Sequence, residues 1–160
     1  MNISPVITQL EDMPAACVSF TGDYRGKPQV FAKVFGQLLE EVSKQDLLQV
    51  DSVMLSAYND DPSTTPPEEL SFDACVVTAK AVQTSDRIQA KTLPGGTYAV
   101  ASIELSGPEE YGVAWKAMVD WIEASEYEWT AERPWYEIYK NKPEEHPEGH
   151  HILDMCAAVK

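Results

Sequence analysis

Apolar residues recur at Phe31, Val34, Phe35, Leu38, Leu39 and Val42. That i, i+3, i+4, i+7, i+8, i+11 spacing predicts a core-facing helix from Pro28 to about Lys44. Extended segments precede it around Ile7–Leu10 and Ala16–Phe20. Met54–Tyr58 and Phe72–Thr78 follow as a strand pair, joined by a polar, proline-rich loop from Asn59 to Glu69. The same order returns downstream: strands at Gln89–Lys91 and Thr97–Leu105, a helix from about Pro108 to Ala124, and strands at Tyr136–Tyr139 and His151–Val159.

The two series align with each other. A shift of 80 carries the six apolar helix positions onto Tyr111, Ala114, Trp115, Met118, Val119 and Ile122, and Pro14 onto Pro94. A shift of 81 carries Tyr58 onto Tyr139, Pro62 onto Pro143, Pro66 onto Pro147, Asp73 onto Asp154 and Cys75 onto Cys156. Each half alone would bury little surface, and the two together bury more. The expected fold is therefore α+β: a duplicated strand-helix-strand-strand module with pseudo-twofold symmetry, its antiparallel sheet covered by two helices. Residues 1–160 form one domain on this reading, with one repeat over about 1–80 and the other over about 84–160.

Alternation in the last repeat separates Tyr136 and Ile138 from Trp135, Glu137 and Tyr139. By the repeat, Leu55, Ala57, Tyr136 and Ile138 share one face, expected to be the helix-packed core. The opposite face carries Met54, Ser56, Tyr58, Trp135, Glu137 and Tyr139. A carboxylate among aromatic rings suits a lipophilic cation, because ring faces attract the cation and the acid supplies the countercharge. Glu137 stands where the other repeat has Ser56, so the acid breaks the internal symmetry as a binding residue would. Trp121, standing where the first repeat has Glu41, is a further candidate for the cavity wall. Tyr24 and Tyr98 are candidates as well, with Tyr111 and Trp115; Trp115, in mid-stripe, reads first as core. A ligand site at Glu137 calls for a cavity of about 300 Å³ or more.

Charge narrows the partners. The 160 residues hold 26 acidic and 12 basic side chains, a formal net charge of -14. A nucleic-acid binder carries a basic footprint, so direct binding of nucleic acid is not expected. No apolar run reaches the roughly 20 residues of a membrane span, and the start of the chain lacks the pattern of an export signal, so a cytoplasmic location is expected. Cys17, Cys75 and Cys156 show no CxxC spacing and read as reduced, buried thiols. His146, His150 and His151 lie near Glu144, Glu145 and Glu148, but without a helix or cysteine spacing that would fix ligand geometry. A solvated loop with no metal is the expectation there. No nucleophile elbow, P-loop or dinucleotide fingerprint occurs, and Gly95-Gly96 reads as a turn, so no cofactor and no covalent catalysis are expected.

Three stretches together resemble the gyrase-inhibitor-like (GyrI-like) family, whose members also form effector-binding domains of AraC-type and MerR-type regulators. They are Ala57-Tyr58-Asn59-Asp60-Asp61-Pro62 with Pro67-Glu68-Glu69-Leu70, Leu93-Pro94-Gly95-Gly96-Thr97-Tyr98-Ala99-Val100, and Arg133-Pro134-Trp135-Tyr136-Glu137-Ile138-Tyr139. The resemblance covers nearly the whole chain and implies the same duplicated module. It also implies a pocket for amphipathic or cationic small molecules with the acid of the Tyr-Glu-x-Tyr stretch, Glu137, at its floor. With the repeat beginning within ten residues of Met1, a stand-alone member is expected. The candidate functions are sequestering or sensing a lipophilic cation, with the gyrase-protective role that the resemblance implies; hydrolysis of cyclopropane-bearing genotoxins, also implied by the resemblance, with Glu137 acting on water while Trp135, Trp121 and tyrosines hold the substrate; and an acidic surface acting on DNA gyrase.

Overall fold

The computed structural model describes residues 1–160. Eight strands and two helices follow in the order β1 (Val6–Leu10), β2 (Met13–Thr21), α1 (Pro28–Lys44), β3 (Met54–Tyr58), β4 (Ser71–Val77), β5 (Gln89–Leu93), β6 (Gly96–Leu105), α2 (Tyr111–Glu123), β7 (Trp135–Tyr139) and β8 (His151–Ala158). The architecture is α+β, and no helix is long and apolar enough to cross a membrane. Helix α1 starts where expected, with Pro28 in its first turn, where a missing N–H costs nothing. It ends at Lys44, and Asp46 beyond it takes a left-handed conformation. Helix α2 begins later than the periodicity suggests, because Pro108–Glu110 winds as a separate 3-10 turn.

The strands form one antiparallel, curled sheet in the order β1-β6-β8-β7-β3-β4-β2-β5. Its centre is the β3–β7 pair, in register with Met54 opposite Tyr139, Ser56 opposite Glu137 and Tyr58 opposite Trp135. Helix α1 buries Val34, Leu38 and Val42 against Ala16 and Val18 of β2 and Phe72, Ala74 and Val76 of β4. Helix α2 buries Ala114, Met118 and Ile122 against Ala99 and Ala101 of β6 and Leu153, Met155 and Ala157 of β8. Each helix thus covers an outer pair of strands, and both stand to either side of the central pair on one face.

This arrangement corrects the expected assignment of faces. Leu55, Ala57 and Tyr136 are fully buried, but they belong to a cluster with Ala15, Cys17, Cys75, Tyr98, Cys156 and Ala158 that contains no helix residue. The sheet curls around this face, and the small side chains let it do so. Tyr98 and Tyr136 stack there at 5.5 Å between ring centres. Their hydroxyls donate to the Pro134 and Pro94 carbonyls at 2.8 and 2.7 Å. A strand buried on both faces needs no helix on its more apolar side, so apolar content did not reveal which face the helices cover.

Candidate functional site

The helix face of the central pair carries Met54, Ser56, Tyr58, Trp135, Glu137 and Tyr139, and the space above it is filled from both sides. Helix α1 contributes Phe31 and Phe35, and α2 contributes Tyr111 and Trp115. Phe35 meets Tyr139 edge-on at 5.8 Å, and Trp115 meets Tyr58 edge-on at 6.3 Å. Trp115 also lies 5.5 Å from Trp135, which in turn meets Trp129 at 6.0 Å. Tyr24 packs 5.4 Å from Tyr58 and extends the wall on the α1 side.

Beneath this layer lies Glu137, 3% exposed. Its Oε1 accepts hydrogen bonds from the Tyr58 hydroxyl at 2.7 Å and the Tyr139 hydroxyl at 2.9 Å. Its Oε2 accepts one from the Trp115 indole N–H at 2.7 Å. Ser56 Oγ is 2.7 Å from the Tyr139 hydroxyl. Because a phenol has a single proton and Tyr139 gives it to the acid, Ser56 is the donor in that contact. The result is a relay from Ser56 through Tyr139 to Glu137.

Burial holds the Glu137 carboxyl above its ordinary range, and the bonds from Trp115, Tyr58 and Tyr139 pull it back in part. No basic side chain is among its partners, so its charge, when present, is met by dipoles alone. Burial and the nearby acid push Tyr58 and Tyr139 up, keeping both hydroxyls protonated as donors. Tyr24 is pushed up to about 12, chiefly by burial. Glu137 is therefore a buried, hydrogen-bonded acid with no countercharge. Tyr58, Trp115 and Tyr139, its three donors, are each half-buried, and Tyr24, Phe35 and Trp135 pack against them.

Six of the eight ligand-binding candidates, Glu137, Trp135, Tyr139, Tyr58, Met54 and Tyr24, gather here. Two do not. Tyr98 lies on the opposite face of the sheet, stacked on Tyr136, because the even positions of β6 face away from the helices. Trp121 sits on the outer flank of α2, where it borders a hollow of about 420 Å³ with Met1, Ile3, Val113 and Asp120. A second hollow, of about 540 Å³, is bounded by residues between Ile122 and Trp129 and by Lys160. Glu137 lines neither. Its site is closed over by the chain's own rings, where the sequence reading expected a hollow. Trp115, ranked first as core, is a direct partner of the acid; its indole N–H, in need of an acceptor once buried, was the available signal.

A family model for the GyrI-like small-molecule-binding domain matches residues 4–160. The chain belongs to that family. It is 28% identical over 158 residues to a DNA gyrase inhibitor of Yersinia enterocolitica, covering 94% of this chain and 95% of that protein. It is 33% identical over 97 residues to a putative transcriptional regulator, YosT, from the SPbeta prophage of Bacillus subtilis. That match takes in 57% of this chain and 61% of the regulator's length. Among solved structures, the EcmrR C-terminal domain superposes with a TM-score of 0.81 at 14% identity, covering 100% of this chain and 99% of that one. SAV2435 bound to tetraphenylphosphonium superposes with a TM-score of 0.65 at 17% identity, covering 98% and 94%. These two likenesses establish the fold.

Proposed function

We propose that this protein binds lipophilic organic cations at Glu137, and so sequesters or senses them. The observation that carries the reading is a carboxylate 3% exposed, held by three dipolar donors and no basic side chain. A buried acid without a countercharge gains most when a desolvated cation arrives. The rings of Tyr58, Trp115, Trp135 and Tyr139 add roughly 0.5–2 kcal/mol each through cation–π attraction. SAV2435, bound to tetraphenylphosphonium, supports the choice of ligand class. Entry requires the aromatic layer to part, and Trp115, half-buried on α2 with its indole N–H on Oε2, is the side chain we assign to that opening.

The sheet order supports reading the chain as one domain made of two copies of a module. Outward from the β3–β7 pair it runs β4-β2-β5 on one side and β8-β6-β1 on the other. The shift of 81 that relates the halves maps Ser56 onto Glu137, and these two are register partners. The three cysteines, free and buried, suit a cytoplasmic setting.

Hydrolysis at the same acid would need Glu137 free to take a proton from water. Three of roughly four acceptor positions on a carboxylate are occupied here, so binding is the reading the geometry favours. A role at gyrase is favoured by one observation, the name of the Yersinia relative; steep salt dependence of association with a gyrase subunit would test it. The binding reading is tested by titrating the protein with tetraphenylphosphonium. Saturable one-to-one binding accompanied by a change in tryptophan fluorescence supports it, and the absence of saturation overturns it.

A further inference from the structure

Two strands across the sheet from the strand of Glu137, the loop before β8 brings His146 and His150 beside Glu104 of β6, more than 40 residues earlier in the chain. Glu104, His146 and His150 place their ligand-capable atoms within 4.8 Å of one another. The loop carrying both histidines is pinned at its base. Asn141 donates to the His150 carbonyl at 2.9 Å and accepts the Ile152 N–H at 2.9 Å. A turn closed by the Gly149 N–H on the His146 carbonyl, with Gly149 at φ +71°, stacks the two imidazoles 4.8 Å apart at 11°.

We propose that Glu104, His146 and His150 form a binding site for a first-row transition-metal dication, with Zn²⁺ as the reference ion. Two imidazoles and one carboxylate are a donor set that suits zinc, nickel or copper, and not calcium or magnesium. His150 is poised for the part. Its Nδ1 lies 2.7 Å from Glu104 Oε2, while its Nε2 lies 3.5 Å from Glu148 Oε2 on the far side of the ring. With metal on Nδ1, the Nε2–H faces a carboxylate, the outer partner that ligating histidines commonly have. His146 is the weaker ligand, because its Nδ1 accepts the Glu148 backbone N–H at 3.0 Å and that bond competes with ligation. Metal held here would tie the loop to β6, across 46 residues of chain. Cys17, Cys75 and Cys156 are fully buried in the helix-free cluster and do not compete.

The test is calorimetric titration of chelator-treated protein with ZnCl₂, repeated with CoCl₂ to read the visible bands of the bound ion. One saturable site per chain is expected. His150→Ala should weaken it roughly tenfold or more, and His146→Ala by less. Glu104 is exposed, so Glu104→Gln keeps the fold and should also weaken binding. His151→Ala is the control, since His151 bonds the Tyr111 hydroxyl at 2.7 Å and lies outside the cluster. Circular dichroism of each variant separates lost ligation from lost folding. Absence of saturable binding, unchanged affinity in the His146→Ala/His150→Ala double variant, or equal competition by Ca²⁺ would overturn the assignment.

Discussion

Ser56 and Glu137 are register partners across the β3–β7 pair, and Tyr139 joins them: its hydroxyl lies 2.7 Å from Ser56 Oγ and donates to Glu137 at 2.9 Å. The acid therefore sits at the middle of the sheet, between the strands that α1 and α2 pack on, and its one helix partner is the Trp115 indole of α2. Polarity concentrated at that point has consequences for stability as well as for binding.

The pH dependence of folding should carry a signature of Glu137. Burial raises its carboxyl in the folded state above the ordinary value of 4.5. A group with a raised folded value favours the folded state fully below its unfolded value, and that contribution is lost as pH climbs through the folded value. Glu137→Gln lacks this titration. The stability of Glu137→Gln relative to the parent should therefore improve as pH rises from about 4 to about 8. Urea midpoints across that range check it, and a constant difference would contradict the assignment.

Trp115→Phe removes the indole donor from Oε2 and keeps most of the ring contacts with Tyr58 and Trp135. A buried acceptor that loses a partner costs about 1–3 kcal/mol. Chemical denaturation near neutral pH should show a loss in that range. A Trp115→Phe protein as stable as its parent would mean that water replaces the indole at no cost.

Gly95→Ala should destabilise the fold through the backbone alone. A Cβ at Gly95 would stand 2.2 Å from the Leu10 carbonyl oxygen, in a turn where the Gly95 N–H also bonds Asp12 at 2.7 Å. Overpacking of this kind costs about 1–3 kcal/mol, and β1 and β5 would have to shift to relieve it. The expected result is a lower melting temperature, with any cation affinity measured below it unchanged.

Much of the architecture was legible from periodicity. The helix over Pro28–Lys44 and the strand at Met54–Tyr58 match the structure at both ends, because apolar spacing and a proline at the first helical position constrain them locally. Glu137 stood out in the sequence because a shift of 81 sets it against Ser56 and aromatic residues flank it, and the structure buries it among those rings. Two features needed three dimensions. Which sheet face the helices cover depends on the curl, and Leu55, Ala57 and Tyr136 looked helix-packed because they are as apolar as residues that are. The cluster of Glu104 with His146 and His150 depends on a strand pairing, Glu104 opposite Ile152, that local spacing does not encode.

The thiols should be inert in the folded protein. Burial pushes Cys156 up to about 12 and Cys75 well above its ordinary value, and all three cysteines are fully buried. A thiolate is the reactive species, so labelling by a disulfide reagent should wait for unfolding. Rapid stoichiometric labelling of the native protein would show that the sheet opens around Cys17 and Cys75.

The most direct measurement compares two aryl probes of similar size, tetraphenylphosphonium and the uncharged triphenylphosphine oxide, against the parent protein and Glu137→Gln. If the buried acid is what selects the ligand, the substitution should weaken the phosphonium by roughly tenfold or more, about 1.4 kcal/mol, and leave the neutral oxide within a few-fold of its parent value. Equal losses for both probes, or no loss for the cation, would contradict the account.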